Sequence, residues 1–395
     1  MNPLSSYLSR TEKLYENNEN GYIYSFSATV LDCFPVDDGF AIELDRTAFF
    51  PEGGGQSADE GSLDGVPVKD VCIKDGKILH IVDSPLTVGA LTKGKVDEGI
   101  RFPRMQNHSG EHIVSGIIHS LYGIENVGFH MSRGEMTVDT SAPLSEEMIK
   151  NIEIEANRAV WANKEINCFY PDADTLSKIE YRSKTELSGD VRIVEIDGVD
   201  KCACCAPHVR MTGEVGAIHI KSHIKYKKGT RLTLVCGEWA MNDYLSISET
   251  AAKMSHALSA PTEEIYDAFA KKEELLSEKL GEIRALKEKL LAIRLASLSS
   301  TDKNICIFED GCDTGLLRKL VNDGLHLTSG LFCAFSKRDV GGYAYVIGTK
   351  SGDLSPLAKE ISVALGGRGG GKGPMITGFV ESDEEKIKEY FEKEV

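Results

Sequence analysis

Hydrophobic and polar residues alternate in short stretches over residues 20–100, as in Tyr22-Ile23-Tyr24-Ser25-Phe26. Three Asp-Gly turn signals punctuate the region, at Asp38-Gly39, Asp64-Gly65 and Asp75-Gly76. An alternation with a period of two indicates half-buried strands, and Asp-Gly between two such runs favours a hairpin. The pattern predicts a small barrel or sandwich, and we expect a β-barrel domain over residues 1–100.

Residues 101–245 mix helical and strand patterns. A helix is predicted from about Pro103 to Tyr122, because apolar residues recur there on one face. Its core stripe consists of Ile113, Val114, Ile117, Ile118 and Leu121. A second helix is predicted over 145–163. Strands are predicted near 190–197, 214–220 and 230–236.

Residues 246–300 carry a strong helical pattern. Apolar residues recur every seven positions, at Phe269, Leu276, Ile283 and Leu290. Leu286 and Ile293 fill the partner position of the heptad, whereas Lys272 and Lys279 interrupt it earlier. This pattern predicts a partial coiled coil, or a helical hairpin lying on a neighbour. Residues 301–395 are expected to form a small C-terminal α/β domain, so the fold class is α+β multidomain.

The composition of the chain limits the classes of protein to which it can belong. The chain has 395 residues with 45 Lys and Arg against 61 Asp and Glu, a formal charge of −16. An acidic chain binds nucleic acid only through a local basic patch. No apolar run approaches the roughly 20 residues that span a bilayer, and the N-terminus lacks the apolar core of a signal peptide. The 10 cysteines are scattered apart from three in residues 202–205. We therefore expect a reduced, cytoplasmic protein without membrane partners.

Two short stretches contain candidate metal ligands. His108 and His112 lie in QNHSGEH, and positions four apart share one face of a helix. Such a pair alone is more often structural, but Cys204 and His208 in CACCAPH repeat the spacing. Two histidines with a cysteine and a third histidine form a tetrahedral set suited to Zn²⁺. Cys202 is the alternative thiolate ligand.

Four stretches, in this order, resemble the AlaX family, free-standing relatives of the editing part of alanyl-tRNA synthetase. They are RTAFFPEGGGQSADEG (46–61), RMQNHSGEH (104–112), DKCACCAPHVRMTGEVG (200–216) and LGGRGGGKGPMITG (365–378). The helical segment and the C-terminal domain make the long AlaX form the most similar. The family's C-G-G-T-H is Cys-Cys-Ala-Pro-His in this chain, so the positions of the ligands are kept.

The resemblance implies a hydrolase that deacylates alanine tRNA mischarged with serine or glycine, acting without ATP at a zinc ion. It makes residues 101–245 the zinc-binding editing domain. Thr47 would sense the serine hydroxyl, and Gly54, Gly55 and Gln56 would approach the substrate. His130 and Arg133 would lie near the site, Arg133 where the synthetase has a glutamine.

Glu111 follows His108 by three residues, so its carboxylate can reach the edge of a metal held there. It is either a general base or a hydrogen-bond partner of an imidazole, and an ordinary exposed helix acid is an equal alternative. The sequence does not decide whether four protein ligands close the metal site or one position is open for water.

A basic stretch, KSHIKYKKGTR (221–231), is the candidate tRNA contact in the middle domain, with a solvated hairpin as the alternative. Its candidate phosphate ligands are Lys225, Lys227, Lys228 and Arg231. In the last domain Arg368 and Lys372 lie among glycines, but Gly373 follows Lys372, so the loop lacks the nucleotide-triphosphate motif. The resemblance implies that this domain binds tRNA and forms a homodimer.

Two other functions fit parts of the sequence. HSGEH matches the H-x-x-E-H pattern of inverzincin metallopeptidases, with Glu111 as the base. That function would leave the Cys204–His208 pair and the glycine-rich tail without a role. The second alternative is a non-catalytic tRNA-binding protein in which zinc is structural.

Overall fold

The computed structural model describes residues 11–16, 20–132, 134–183 and 191–393. The chain divides into two compact units, Met1–Lys253 and Met254–Val395. The fold is mixed α+β, as expected.

The first unit begins with a closed six-stranded barrel in the order β2-β3-β7-β6-β5-β8. Its strands are β2 Ser25–Val36, β3 Gly39–Leu44, β5 Gly61–Leu63, β6 Val66–Lys74, β7 Lys77–Val82 and β8 Leu91–Val96. Two short parallel strands, β1 Glu12–Lys13 and β4 Arg46–Thr47, pair beside it. Strand β8 alternates exposed and buried residues along its whole length, which is the pattern that predicted these strands. The predicted barrel is confirmed.

Helix α1 spans Glu98–Tyr122 and begins five residues before the predicted start at Pro103. Pro103 is the sixth residue of this helix and has no amide N–H to donate to the Gly99 carbonyl, so the helix continues through it without that hydrogen bond. Four members of the predicted core stripe are buried, but Leu121 is 46% exposed. Leu121 was wrongly assigned to the core, because the helix passes beyond the neighbouring elements in its last turn.

An antiparallel four-stranded sheet, in the order β14-β15-β10-β9, packs against α1. Its strands are β9 Asn126–Met131, β10 Met136–Thr140, β14 Ile218–Tyr226 and β15 Gly229–Cys236. Helix α2, Glu146–Trp161, matches its prediction. The strand predicted near 214–220 begins only at Ile218, because Thr212–Val215 form a 3₁₀ turn. A second sheet, with α3 Ala173–Leu176 in its connection, consists of β11 Ile166–Phe169, β12 Ile193–Ile196 and β13 Asp200–Ala203.

Two helices follow, α4 Gly237–Leu258 and α5 Ile265–Ala296. The heptad residues of α5 are about half exposed or more, from 48% at Phe269 to 68% at Ile293. Leu291 is the buried residue of this helix instead. The coiled coil therefore stays a prediction that needs a partner helix. Within the described residues, no helix is both long and apolar enough to cross a membrane.

The second unit contains a five-stranded sheet in the order β16-β17-β18-β20-β19. Its strands are β16 Ile305–Phe308, β17 Phe332–Lys337, β18 Tyr343–Gly348, β19 Gly367–Gly370 and β20 Met375–Val380. Its helices are α6 Thr314–Gly324, α7 Ser355–Ala364 and α8 Glu384–Lys393. Two apolar clusters are built on this sheet, one shared with α7 and α8 and the other with α5 and α6. This arrangement agrees with the expected α/β unit, and the division of the chain into four domains remains a prediction.

A buried ion pair ties the barrel to the start of α1. Arg101 and Asp59 are both fully buried, and Arg101 Nε lies 2.9 Å from each Asp59 carboxylate oxygen. The same guanidinium donates to the carbonyls of Gly21 and Ala48. Asp59 also accepts a hydrogen bond from the Phe50 amide. Because the guanidinium donates hydrogen bonds to three separate segments, it fixes the barrel loops relative to the helix.

We predict that Arg101→Met lowers the free energy of unfolding of the first unit by about 3–5 kcal/mol, because it leaves the buried Asp59 carboxylate without its charged partner. Urea unfolding would measure the change. The control is Lys69→Met, which breaks the exposed Lys69–Asp83 pair and should cost less than about 1 kcal/mol. Equal effects of the two substitutions would contradict a structural role for Arg101.

Candidate metal site

Four predicted ligands converge in the first unit. His108 and His112 point from one face of α1, while Cys204 and His208 follow β13, and their ligand atoms all lie within 4.8 Å of one another. The ring centroids of the three histidines are 4.8–5.6 Å apart. All three imidazoles are at least 98% buried. The structure therefore brings together residues that the chain separates by about a hundred positions.

The distances to the thiol match the edges of a tetrahedral zinc site. Cys204 Sγ lies 3.5 Å from His108 Nε2 and 3.5 Å from His208 Nε2. Zn–S near 2.3 Å and Zn–N near 2.0–2.1 Å at tetrahedral angles place sulfur and nitrogen about 3.5 Å apart. The donor set and its spacing therefore fit a zinc ion.

Each histidine has a different hydrogen-bond partner at Nδ1. Gln56 Oε1 lies 2.8 Å from His108, Asp200 Oδ2 lies 2.9 Å from His112, and Ser109 Oγ lies 3.0 Å from His208. An amide oxygen and a carboxylate only accept, so Nδ1 carries the proton in His108 and His112. Their Nε2 atoms then carry the lone pair that can bind a cation. Such partners fix the orientation of metal-binding imidazoles.

Burial sets the protonation of the ligands. It lowers the pKa of His208 well below its usual value, with His112 and His108 adding to the effect. Burial also raises the pKa of the Cys204 thiol, and the adjacent Cys205 raises it further. A cation among the four ligands would reverse the shift at the thiol, because it stabilises the thiolate.

The glycine-rich turn of the barrel domain reaches this site. Gln56 is buried against His108, and its Nε2 has no hydrogen-bond partner among the described residues. The Gly55 carbonyl accepts from the Met131 amide at 2.8 Å. Gly55 has φ +86°, and a Cβ there would lie 2.6 Å from the Phe129 carbonyl, so only glycine fits. Gly54, also with positive φ, faces open space at the turn.

Glu111 is buried beside the cluster, so the exposed helix acid considered above is excluded. Its Oε1 accepts hydrogen bonds from Ser115 Oγ at 2.7 Å and from Asn126 Nδ2. Its Oε2 lies 4.0 Å from His112 Nε2. The carboxylate is thus held in one orientation next to the nitrogen that faces the proposed ion.

The side-chain hydroxyl of Thr47 is hydrogen-bonded to groups of the barrel domain, and its carbonyl accepts from the Leu14 amide. Its hydroxyl lies 2.8 Å from His80 Nε2 and accepts from the Phe49 amide at 3.1 Å. His80 is fully buried, and burial lowers its pKa to about 4 despite a hydrogen bond to the Ile42 carbonyl. The hydroxyl predicted to sense serine is therefore engaged by a neutral imidazole.

Two substrate contacts were expected near the site, at His130 on β9 and at Arg133. His130 is exposed, whereas its neighbour Phe129 packs on the His108 ring at 5.0 Å. Arg133 lies outside the described residues. His119, seven positions beyond His112, is exposed and pairs with Glu125 at 2.7 Å. The sequence did not indicate Phe129. Alternation along a strand shows which residues share a face, but it does not show which face meets a site formed by other elements.

Asp200 and Ser109 were also missed. Both lie inside stretches that the sequence singled out, but no spacing rule relates them to His112 or His208. Cys202, the alternative ligand, forms a second group with His112 and Asp200. In that group Asp200 binds His112 at Nδ1.

The basic residues of 221–231 lie on the hairpin of β14 and β15, with Lys227 and Lys228 in its turn. Lys225, Lys227 and Lys228 are exposed there. Arg231 instead forms a bidentate ion pair with Asp139, at 2.6 and 2.7 Å, with Tyr226 stacked on its guanidinium. Its charge is therefore already neutralised.

Arg368 and Lys372 lie in the second unit. Arg368 is on β19, Lys372 is in the turn between β19 and β20, and both are exposed.

Comparisons with known proteins agree with this site. A family model described as "Threonyl and Alanyl tRNA synthetase second additional domain" matches residues 191–232. "Alanyl-tRNA editing protein AlaX-L" of Pyrococcus horikoshii is 27% identical, over 93% of this chain and 94% of its own length. "Alanyl-tRNA editing protein Aarsd1-B" of Xenopus laevis is 34% identical over 58% of this chain and 57% of its own length.

An "Alanine--tRNA ligase" of Ignicoccus hospitalis is 28% identical over 97% of this chain. The chain spans only 42% of the length of that ligase. The resemblance of this chain to the long AlaX proteins, and to part of alanyl-tRNA synthetase, is thereby confirmed.

Proposed function

We propose that the protein is a zinc-dependent hydrolase that deacylates alanine tRNA mischarged with serine or glycine. The main support is the set of three buried histidines and one half-buried cysteine whose ligand atoms lie within 4.8 Å of one another, in a chain similar over nearly its full length to an alanyl-tRNA editing protein. A pocket sized for alanine cannot exclude glycine or reject serine by size alone, so a separate hydrolytic step is needed.

His108, His112, Cys204 and His208 would hold the zinc ion. When bound, zinc polarises an ester carbonyl or lowers the pKa of a water molecule. With four protein ligands the site is closed, so the ion either positions neighbouring groups or gains an open position when one ligand moves.

Glu111 is the proposed general base. Water adds to the ester carbonyl, the bond to the ribose oxygen breaks, and the proton that Glu111 takes from water passes to the leaving hydroxyl. Its fixed position supports this role, because Ser115 and Asn126 hold one oxygen while the other lies beside His112.

Gln56, Gly54 and Gly55 would contact the aminoacyl group. The unpaired Nε2 of Gln56 is a buried donor that a substrate oxygen would satisfy. The exposed turn at Gly54 lets backbone approach the substrate closely. The proposed sensing of the serine hydroxyl by Thr47 would require that hydroxyl to leave His80, and it stays a prediction. His130 and Arg133 also stay predicted substrate contacts.

Exposed basic side chains would bind the tRNA, although the chain as a whole carries a net negative charge. Lys225, Lys227 and Lys228 are proposed phosphate contacts, with Arg231 supporting Tyr226 as a stacking surface. Arg368 and Lys372 are proposed contacts in the second unit. We further propose a cytoplasmic homodimer that forms through the C-terminal domain.

A metallopeptidase is the second candidate, because Glu111 of the H-x-x-E-H pattern is buried next to His112. It would cleave peptides and ignore charged tRNA. A non-catalytic protein would bind charged tRNA without releasing the amino acid. Deacylation of serine-charged and alanine-charged alanine tRNA identifies the editing hydrolase, and peptide cleavage followed by tRNA binding separates the other two.

We predict that wild type releases serine faster than alanine, and that His108→Ala loses its zinc and about 100-fold or more of the rate. Deacylation and zinc content are measured on the same samples. The control is His119→Ala, on the same helix but exposed and outside the cluster. Zinc-loaded wild type that releases no amino acid would overturn the enzyme proposal.

We predict that Glu111→Gln keeps its zinc but deacylates about 100- to 10,000-fold more slowly, because it cannot accept the proton. Single-turnover rates at equal zinc content are the measurement. An unchanged rate would remove the base role and leave Glu111 a structural partner of Ser115.

We predict that replacing Lys225, Lys227 and Lys228 with alanine weakens tRNA binding and flattens its salt dependence, by a slope of up to about 0.9 for each lost phosphate contact. Binding is titrated between low and moderate salt. Replacing the exposed Lys253 and Lys271 of α4 and α5 is the control. An unchanged slope in the triple variant would exclude the hairpin as a tRNA contact.

A further inference from the structure

We infer that Arg182 and Asp200 form an ion pair that makes His112 the strongest of the three imidazole ligands. The inference rests on the proposed function, because it concerns the metal that the site is proposed to hold. Arg182 and Asp200 would act through His112 as positioning residues, without touching the substrate.

The three residues form a continuous chain of hydrogen bonds. Arg182 Nε donates to Asp200 Oδ1 at 2.7 Å, and its Nη2 donates to Oδ2 at 2.8 Å. Asp200 Oδ2 then accepts from His112 Nδ1 at 2.9 Å. The Asp200 side chain is 1% exposed and that of Arg182 is 13% exposed. Solvent therefore screens these charges only weakly.

The partners of the three imidazoles differ in charge. His108 donates to the neutral amide of Gln56, and His208 meets the neutral hydroxyl of Ser109, whereas His112 donates to a carboxylate. A carboxylate draws the Nδ1 proton toward itself and leaves more electron density at Nε2. His112 is thus the one histidine of the cluster with an anionic partner.

Arg182 stabilises that partner as a carboxylate, because the guanidinium donates a hydrogen bond to each of its two oxygens. Arg182 itself is fixed beside β13, since its amide donates to the Lys201 carbonyl and its carbonyl accepts from the Ala203 amide.

A glycine in α1 makes the contact possible. Gly116 lies one turn beyond His112, where the start of β13 crosses the helix. A Cβ at Gly116 would lie 2.3 Å from the Val199 carbonyl oxygen and 2.8 Å from Asp200 Cβ. Alanine stabilises a helix interior relative to glycine, so the glycine is explained by this close approach and not by helix formation.

Asp200 also offsets positive charge at the buried site. A zinc dication and the guanidiniums of Arg182 and Arg192 would contribute positive charge there, and the Cys204 thiolate, Asp200 and Glu111 would contribute negative charge. A neutral residue at position 200 would remove one of these negative charges from a buried site, where an uncompensated charge is costly.

The test is Asp200→Asn, which keeps the shape and an accepting oxygen but removes the charge. We expect zinc affinity, measured by competition with a chromophoric chelator, to fall about 10- to 100-fold. The matched variant is Ser109→Ala, which removes the neutral partner of His208 and should weaken zinc by a smaller factor. The visible spectrum of the Co²⁺-substituted proteins should keep its tetrahedral form in both variants.

Gly116→Ala provides a second test, because it changes no ligand and no hydrogen-bonding group and acts by pushing the start of β13, with Asp200, away from α1. It should lower zinc affinity about as much as Asp200→Asn. Unfolding of the metal-free proteins shows whether each variant folds.

Asp200→Asn that folds and binds zinc within a factor of two or three of wild type would overturn the inference. A larger loss in Ser109→Ala would do the same. If wild type itself bound no zinc, the proposed function would fail instead, so the two failures are distinguishable.

Discussion

Helix α1 is buried along most of its length, and the candidate site depends on that burial. Every residue from Pro103 to Ile118 is buried, so the polar side chains of this part of the helix need hydrogen-bond partners inside the protein. Arg101 binds the barrel through Asp59. Asn107 exchanges hydrogen bonds with Cys236 at the end of β15, and Gln106 binds the backbone of Glu214 and Glu238. These contacts prevent the helix from rotating about its axis. The two imidazoles on its inward face are therefore held at one point.

Local spacing predicted the ligands because it is a property of the helix and the turn themselves. His108 and His112 share a face whatever surrounds them, and Cys204 and His208 repeat the spacing in a short loop. The barrel followed in the same way from alternation and Asp-Gly turns. These features depend on contacts near in sequence, so the sequence alone was sufficient.

The partners of the ligands depend on contacts distant in sequence. Gln56, 52 positions before His108, reaches it only because the barrel loop is fixed on α1. Asp200 reaches His112 only because Gly116 admits β13. Thr47 was assigned to the substrate from a motif, yet its contacts are with His80 inside the barrel. No pattern in the sequence predicts these distances, because each of them depends on how separate elements pack together.

The central claim is that three imidazoles and one thiolate hold a single zinc ion. X-ray absorption at the zinc edge of the purified protein tests it most directly. The account predicts three nitrogen ligands at about 2.0–2.1 Å and one sulfur at about 2.3 Å. A spectrum without sulfur, or with two sulfurs because Cys202 also binds, would contradict the ligand set.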